Sequence, residues 1–242
     1  MLYSAICDTG LVRLENQDSV FSDTKGSVGC FCVADGMGGH ENGGDASREI
    51  VESIKHWWEE VTEPTTINDF MDMPQGLSNA IKTANDNIRK MTAPGSVCGS
   101  TVVCVLVWQT YYAVLHAGDS RAYLINKRYK LNQITRDDVW ENQPNLNIRK
   151  SKLKKYTTYG KLVNAIGARD DVSITIKSDM IESNIGFLLC SDGLYKMVDE
   201  KNLRRILRST KKTDLNQTVD KIKQVVYENG ARDNVSIILI RV

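Results

Sequence analysis

Three apolar runs follow one another so closely that their short connectors suggest antiparallel pairing of strands. They are "STVVCVLVW" (100–108), "YYAVLHAGD" (111–119) and "RAYLINK" (121–127), and at most two residues separate neighbouring runs. Parallel strands need a crossover connection of about a dozen residues or more, whereas a short turn joins antiparallel neighbours. The middle of the chain is therefore predicted to form antiparallel β-structure.

Helices are predicted in pairs on either side of further strands. Apolar residues recur at helical spacing in four segments, 46–61, 77–91, 200–209 and 213–228. A loop containing Pro64 and Pro74 is expected within the first pair, and Pro94-Gly95 is expected to end it. The remaining strands are predicted at 27–35, 172–176, 186–192 and 234–242. Strand runs with paired helices are typical of an α+β fold, in which helices cover antiparallel sheets.

Charge and composition exclude several classes of protein. The chain has 242 residues, with 31 Lys and Arg against 30 Asp and Glu, so it lacks the basic footprint of a nucleic-acid or anionic-membrane binder. No apolar stretch approaches the ~20 residues of a membrane span, and the first residues do not resemble a signal peptide. The six cysteines mostly occupy apolar runs and are interpreted as buried thiols. We expect a cytoplasmic protein with no nucleic-acid or membrane partner.

Aspartates recur where apolar runs end. Asp35 ends "CFCVAD", Asp119 ends "AVLHAGD", Asp192 ends "FLLCSD", Asp233 precedes the last strand, and Asp18 closes "RLENQD". One such aspartate is explained by turn formation, since Asp-Gly pairs are common in turns. If the strands are neighbours, however, the five carboxylates converge and repel one another. A bound divalent cation would remove that conflict.

The donor set indicates which cation. Carboxylate oxygens without Cys or His favour Mg²⁺ or Mn²⁺ over zinc or copper. Glycine permits close backbone approach, so the Gly36 carbonyl could also reach a metal. Two ions sharing one carboxylate could hold a bridging hydroxide and clamp a phosphoryl group. Beside such a site Arg13 is the leading candidate for a bidentate phosphate anchor, although alone it reads as a surface arginine.

Seven motifs in chain order resemble one known family. They are "GLVRLENQDS", "VADGMGGH", "GSTVV", "HAGDSRAYLI", "NAIG", "LLCSDGL" and "ARDNVSIILI", between residues 10 and 240. The set is similar to the metal-dependent type-2C serine/threonine protein phosphatases (the PPM family), in their compact bacterial form. The resemblance implies a four-layer α-β-β-α sandwich with two central antiparallel sheets, formed by a single domain over 1–242.

The resemblance also implies roles for the aspartates. Asp35 would bridge two ions, with the Gly36 carbonyl on one of them. Asp192 and Asp233 would bind the other ion, and Asp18 would act on the first, directly or through water.

A third, weaker metal site and the reaction follow from the same resemblance. Asp119 would join Asp192 at the third ion, and Arg13 would bind phosphate. The implied reaction is direct attack of a metal-bridging hydroxide on phosphoserine or phosphothreonine in proteins, without a phosphoenzyme. A Ser/Thr protein kinase of the same bacterium is the implied signalling partner, and we expect a monomer.

Two departures from the family pattern stand out. Many eukaryotic members have a histidine, proposed as general acid, at the position of Met37, and a thioether cannot donate a proton. Either water on a metal or His40 would then protonate the leaving group, with a structural role for His40 as the competing interpretation. His56 and His116 are interpreted as packing residues.

The second departure is the polar segment 128–163, which lacks clear periodicity. It is either a solvated insertion or a flap beside the site. As a flap, it would present a basic cluster to an acidic or phosphorylated partner, formed by Arg149, Lys150, Lys152, Lys154 and Lys155.

Two other functions remain open at this stage. A pseudophosphatase would bind phosphoproteins on the same fold, and loss of the metal carboxylates would be its simplest signature, but all are present. A metal-dependent hydrolase of another phosphoester is the second, although a polynucleotide substrate conflicts with the near-neutral charge and the lack of an aromatic-basic platform. A panel of phosphorylated substrates distinguishes the three.

Overall fold

The computed structural model describes residues 1–38, 42–93, 95–144, 146, 148, 150–182, 184–210 and 214–242. Its strands are β1 (Leu2–Asp8), β2 (Asp18–Lys25), β3 (Val28–Gly38), β4 (Cys98–Ser100), β5 (Val102–Trp108), β6 (Tyr111–Ala117), β7 (Arg121–Asn126), β8 (Leu131–Gln133), β9 (Thr175–Met180), β10 (Asn184–Cys190) and β11 (Val235–Arg241). Its helices are α1 (Asn42–Glu60), α2 (Ile67–Met91), α3 (Lys150–Leu153), α4 (Asp192–Tyr195), α5 (Glu200–Ser209) and α6 (Leu215–Glu228), with a 3₁₀ turn at Trp140–Asn142.

Two antiparallel sheets form the centre of the molecule. The first sheet has the strand order β2-β3-β5-β6-β9, with β4 pairing to the end of β3. The second sheet has the order β1-β11-β10-β7-β8. The runs 100–108 and 111–119 pair antiparallel as predicted, but the pairing expected between 111–119 and 121–127 is wrong. The chain crosses from the first sheet to the second between β6 and β7, at the loop that contains Asp119.

Three apolar layers hold the elements together. Helices α1 and α2 pack on the outer face of the first sheet through residues such as Ile54 and Ile81. Helices α5 and α6 cover the second sheet in the same way, around Val219 and Leu239. The third layer lies between the sheets and includes Phe31 and Phe187. The predicted four-layer α-β-β-α sandwich is confirmed.

The predicted loop at Pro74 is wrong, because α2 begins ten residues before Leu77. Thr66 caps the helix: its side chain accepts from the backbone N–H of Asp69, whose carboxylate accepts from the N–H of Thr66. Phe70 is fully buried and its ring lies 5.8 Å from that of Trp108, so the apolar stripe extends upstream of the proline. Burial of this turn outweighs the single hydrogen bond that a proline removes.

Several strand boundaries also differ from the prediction. The strand expected at 172–176 is Thr175–Met180, and the one expected at 186–192 ends at Cys190. Strands β1, β2 and β8 were not predicted. The β9 residues are all exposed, and β2 alternates only weakly between apolar and polar residues, so neither carries a strong pattern.

The histidines and cysteines divide between surface and core. His116 is buried in β6, as expected, with its Nε2 atom 3.0 Å from the carbonyl oxygen of Arg136. His56 lies in α1 but is exposed, so its predicted packing role is wrong. No disulfide joins the six cysteines, all of which are described, and only Cys7 is exposed. Among the helices of the described residues, none has the length and apolar character to cross a membrane.

Candidate active site

Asp18 and Asp35 are neighbours on adjacent strands of the first sheet. They are directly opposed in the β2–β3 ladder, a register in which Cβ atoms lie about 4.5–5.5 Å apart. The backbone around Asp35 is fixed on both sides: its N–H donates to Thr101 Oγ1 (3.1 Å), and its carbonyl accepts from the Thr101 N–H (2.9 Å). The next residue, Gly36, donates its N–H to the Gln17 carbonyl at 3.0 Å.

Asp192 and Asp233 lie next to strands of the second sheet. Asp192 is the first residue of α4, one position after the cap Ser191, rather than the last residue of a strand. Asp233 precedes β11 by two residues. Its neighbour Asn234 fixes the loop before β2, since its amide donates to the carbonyls of Thr9 and Glu15 at 2.9 Å. This brace brings the start of the chain against the last strand.

A side-chain hydrogen bond to Asp18 links the two sheets at the site. Ser191 Oγ, at the end of β10, donates to Asp18 Oδ2 at 2.8 Å. The other carboxylate oxygen, Asp18 Oδ1, is buried and has no hydrogen-bond partner among the described residues. An orphaned buried carboxylate oxygen is costly, and a cation would satisfy it.

The carboxylates open into one cleft of about 500 Å³. Its lining includes Arg13, Gln17, Asp35, Gly36, Met37, Gly38, Thr101, Asp119, Gly160, Lys161, Leu162, Asp192, Lys196, Asp233 and Asn234. The structure thus brings together every predicted site residue that it describes, with Asp18 buried behind Asp35. His40, the candidate proton donor, lies outside the described residues.

Burial and mutual repulsion raise the pKa values of three of these carboxyl groups. Burial, together with the charges of Asp192 and Asp233, raises the pKa of Asp18 to about 6. The pKa of Asp35 lies well above its ordinary value, because the group is desolvated and four other aspartates surround it. Burial next to Asp192 raises the pKa of Asp119 to about 6. The site therefore holds excess negative charge that its own surroundings do not neutralise.

Two basic side chains engage the remaining aspartates. Arg13 donates to both oxygens of Asp233, from Nη2 to Oδ2 at 2.9 Å and from Nε to Oδ1 at 2.8 Å. Lys196 donates to Asp192 Oδ2. With these partners in place, no three His, Cys, Asp or Glu side chains of the described part of the chain are arranged as a metal-binding group.

The residues nevertheless fit one or more hard cations. The potential donors are oxygens only, which suits Mg²⁺ or Mn²⁺. Asp18 Oδ1 lacks a partner, and the carboxyl pKa values of Asp18, Asp35 and Asp119 are all raised. Gly36 is enclosed by backbone, because an added Cβ would lie 2.1 Å from the Gly43 carbonyl oxygen. Asp192 and Asp233 need only exchange their basic partners for a cation.

Sequence reasoning missed several residues of the site. Lys196 follows Asp192 by one helical turn, a spacing that brings side chains together and was visible in "SDGLYK". Tyr195 donates to Asp119 Oδ2 at 3.1 Å, and the Arg121 guanidinium lies 3.5 Å from the centre of the Tyr195 ring. Nothing in the sequence pairs Tyr195 with Asp119, because 76 residues separate them.

The segment 128–163 reaches the cleft through its end. Gly160, Lys161 and Leu162 line the cleft, and a β-bridge joins Leu162 to Val139. The end of this segment therefore borders the cleft. Of the predicted basic cluster, Lys152, Lys154 and Lys155 are exposed and do not line the cleft, whereas Arg149 and the Lys150 side chain lie outside the described parts.

Comparison with known proteins identifies similar chains. The family model "Protein phosphatase 2C" matches residues 12–231. The serine/threonine phosphatase stp of Listeria monocytogenes serotype 4b is 30% identical, over 96% of this chain and 92% of that protein. The crystal structure of Stp1 from Staphylococcus aureus has a TM-score of 0.85 at 26% identity, covering 99% of this chain and 94% of that one. The catalytic domain of PstP, solved in complex with two manganese ions, has the same fold (TM-score 0.77, 24% identity, 99% and 97% covered).

Proposed function

This chain belongs to the protein phosphatase 2C family, and from that premise we propose that it hydrolyses phosphoserine and phosphothreonine in proteins at a two-metal centre. As a member it is a serine/threonine phosphatase of bacterial type. One observation carries the finer proposal: four aspartates at the ends of strands from both sheets, with one arginine, line a single cleft. Asp18 lies opposite Asp35 in the β2–β3 ladder.

The carboxylates are proposed to divide between the ions. Asp35 would bridge the pair, with the Gly36 carbonyl and Asp18 serving one ion and with Asp192 and Asp233 serving the other. Two such ions would lower the pKa of a water and neutralise phosphoryl oxygens, so that water attacks phosphorus directly.

A third, weaker site is proposed between Asp119 and Asp192. Asp119 lies in the loop that crosses between the sheets and lines the same cleft. The hydrogen bond from Tyr195 orients its carboxylate.

Arg13 is proposed to bind the phosphate. Its guanidinium already makes a bidentate contact with the two oxygens of Asp233, and a phosphate presents the same geometry. A cation on Asp233 would release the guanidinium, which would then be available to bind the substrate phosphate. Lys196 would make the parallel exchange, leaving Asp192 and presenting its ammonium to the cleft.

The wider setting is also a proposal. We place the whole sandwich in one catalytic domain, over 1–242, with 128–163 as its flap. The enzyme would act as a monomer and reverse phosphorylation by a Ser/Thr protein kinase. The exposed lysines of the flap and the bulk of the substrate protein would then meet outside the cleft.

The test is release of phosphate from a phosphothreonine peptide with Mn²⁺ or Mg²⁺ present. We expect turnover that disappears with EDTA and returns when the metal is restored. Asp35→Asn and Asp192→Asn should each reduce kcat by at least about 10²-fold, because each removes a carboxylate that would hold the cations, and the cations would stabilise the charge of the transition state.

The matched control is Asp86→Asn, which changes an exposed aspartate of α2. It should retain wild-type turnover. If the wild-type protein with Mn²⁺ releases no phosphate from any phosphopeptide, the proposed catalytic function is wrong. If Asp35→Asn stays fully active, the assigned metal centre is wrong although the activity stands.

A further inference from the structure

The loop before β2 holds apolar side chains in water. Leu14 is 99% exposed, and Val12 and Leu11 are 63% and 59% exposed. All three flank Arg13, the proposed phosphate anchor. Apolar side chains gathered on an exposed surface often mark an interaction site.

Hydrogen bonds hold the backbone of this loop in place, although its apolar side chains are exposed. Asn234, itself buried, donates to the carbonyls of Thr9 and Glu15 at 2.9 Å and so holds both ends of the loop. The Leu11 N–H donates to the Ala231 carbonyl at 2.8 Å. Gly10 has a φ of +77°, and an added Cβ would lie 2.4 Å from the Asp233 carbonyl oxygen. The loop backbone is therefore fixed against the segment that carries Asp233.

Two of these apolar side chains, Val12 and Leu14, border a groove that continues the catalytic cleft. The groove has a volume of about 410 Å³ and is lined by Val12, Arg13, Leu14, Glu15, Gln17, Gly38 and Asn234. Four of these residues, Arg13, Gln17, Gly38 and Asn234, also line the cleft. A substrate with its phosphate on Arg13 would therefore have its adjoining residues in this groove.

We propose that the groove is a specificity subsite for an apolar side chain next to the phosphorylated residue of the substrate protein. Arg13 and Leu14 are consecutive, and an extended substrate advances about 3.3–3.6 Å per residue, so the apolar residue lies within two positions of the phosphoresidue. Glu15 in the same lining disfavours an acidic residue there. The inference rests on the proposed phosphatase function.

The experiment compares matched phosphothreonine peptides with Mn²⁺ present. Each peptide carries Leu, Lys or Glu at one of the two positions before or after the phosphothreonine, and para-nitrophenyl phosphate serves as a substrate without flanking residues. The enzymes are the wild type, Leu14→Gln and the matched control Met71→Gln, which changes a 40% exposed apolar residue of α2.

We expect the wild type to favour Leu over Glu in at least one position by about tenfold in kcat/KM, a typical effect of one apolar contact in a binding site. Leu14→Gln should lose most of that preference while hydrolysing para-nitrophenyl phosphate like the wild type. Met71→Gln should keep the preference.

Equal kcat/KM values for all peptides, a preference for Lys, or a Leu preference that survives in Leu14→Gln would each overturn the subsite. Those outcomes are distinct from failure of the phosphatase proposal, in which the wild type would hydrolyse neither the peptides nor para-nitrophenyl phosphate.

Discussion

Gly36 occupies a position in which a side chain has no room. An added Cβ would lie 2.1 Å from the Gly43 carbonyl oxygen and 2.5 Å from that of Gln17. Both obstacles are backbone atoms, which cannot rotate away. The glycines of "ADGMGG" thus include one that lets two backbone segments meet beside Asp35, which the sequence indicated without identifying the segments.

We predict that Gly36→Ala lowers the free energy of unfolding by about 1–3 kcal/mol, the usual cost of overpacking, and reduces activity by displacing Asp35. Thermal unfolding and phosphopeptide turnover measure the two effects. Gly44→Ala is the control, since its nearest neighbour is a flexible arginine side chain and alanine favours the helix α1. Unchanged stability of Gly36→Ala would contradict the close approach.

Arg13 makes the most direct prediction about substrate binding. Arg13→Ala should raise KM for para-nitrophenyl phosphate by about tenfold or more, because a bidentate contact with phosphate is lost while the carboxylates remain. The KM of Arg13→Lys should lie between those of the wild type and Arg13→Ala, since an ammonium restores the charge without the paired geometry. Steady-state kinetics at saturating Mn²⁺ decide the matter, and an unchanged KM in Arg13→Ala would remove Arg13 from the site.

At the scale of elements, α1 ends without a basic residue of its own. Lys25, the last residue of β2, supplies the missing charge: its Nζ atom donates to the carbonyl oxygens of Trp58, Glu59 and Val61. A cation at a helix C-terminus satisfies free carbonyls and opposes the negative end of the helix dipole. One strand thus fixes the end of a helix in the adjoining layer.

Lys25→Met keeps the aliphatic stem and removes these hydrogen bonds. We predict a loss of about 1–3 kcal/mol in the free energy of unfolding, as expected for hydrogen bonds to a charged group. Urea unfolding followed by circular dichroism gives the value. Lys82→Met, at an exposed position of α2, should change it by less than about 0.5 kcal/mol. Similar effects of the two substitutions would argue against stabilisation of the α1 C-terminus by Lys25.

The elements differ in how far the sequence could predict them. Helix α5 has the predicted bounds, because Leu203, Ile206 and Leu207 form a clear buried stripe between polar faces. The prediction made helix α2 too short, because Pro74 was read as a helix breaker although the buried apolar stripe continues through it. The predicted range of the edge strand β9 was shifted by several residues, because its exposed residues give no periodic signal. Local patterns fail where partners distant in sequence decide the structure.

At the scale of the whole molecule, the sequence could identify the site but not its resting arrangement. The aspartates were recognisable because each follows or precedes an apolar strand. Their engagement by Arg13 and Lys196, and the bond between Ser191 and Asp18, depend on how the two sheets stack. Such contacts span up to 220 positions of the chain and leave no local trace.

The crowded carboxylates should make the metal-free protein more stable at mildly acidic pH. Folding raises the pKa of Asp18 and of Asp119 to about 6 from 3.8, so between these values the folded state binds protons that the unfolded chain releases. Stability then rises as the pH falls. In EDTA we predict a higher Tm at pH 5.5 than at pH 7.5.

Asp35→Asn provides the matched comparison, because it removes a buried carboxylate whose pKa is raised by desolvation and by the neighbouring aspartates. In EDTA at pH 7.5 the variant should unfold a few °C above the wild type, since about 1 kcal/mol corresponds to 2–4 °C in a chain of this size. The difference in Tm between the variant and the wild type should be smaller at pH 5.5. A lower Tm for the variant in EDTA would mean that the charges are already compensated within the protein.

The division of the aspartates between the two sheets has a mechanical consequence. Asp18 and Asp35 move with one sheet, and Asp192 and Asp233 move with the other. The thickness of the apolar layer between the sheets, around Phe31 and Phe187, therefore sets the span that a shared cation must bridge. A cation bound there would cross-link the two sheets. Enlarging or shrinking a side chain deep in that layer would therefore change the affinity for the ion without touching its ligands.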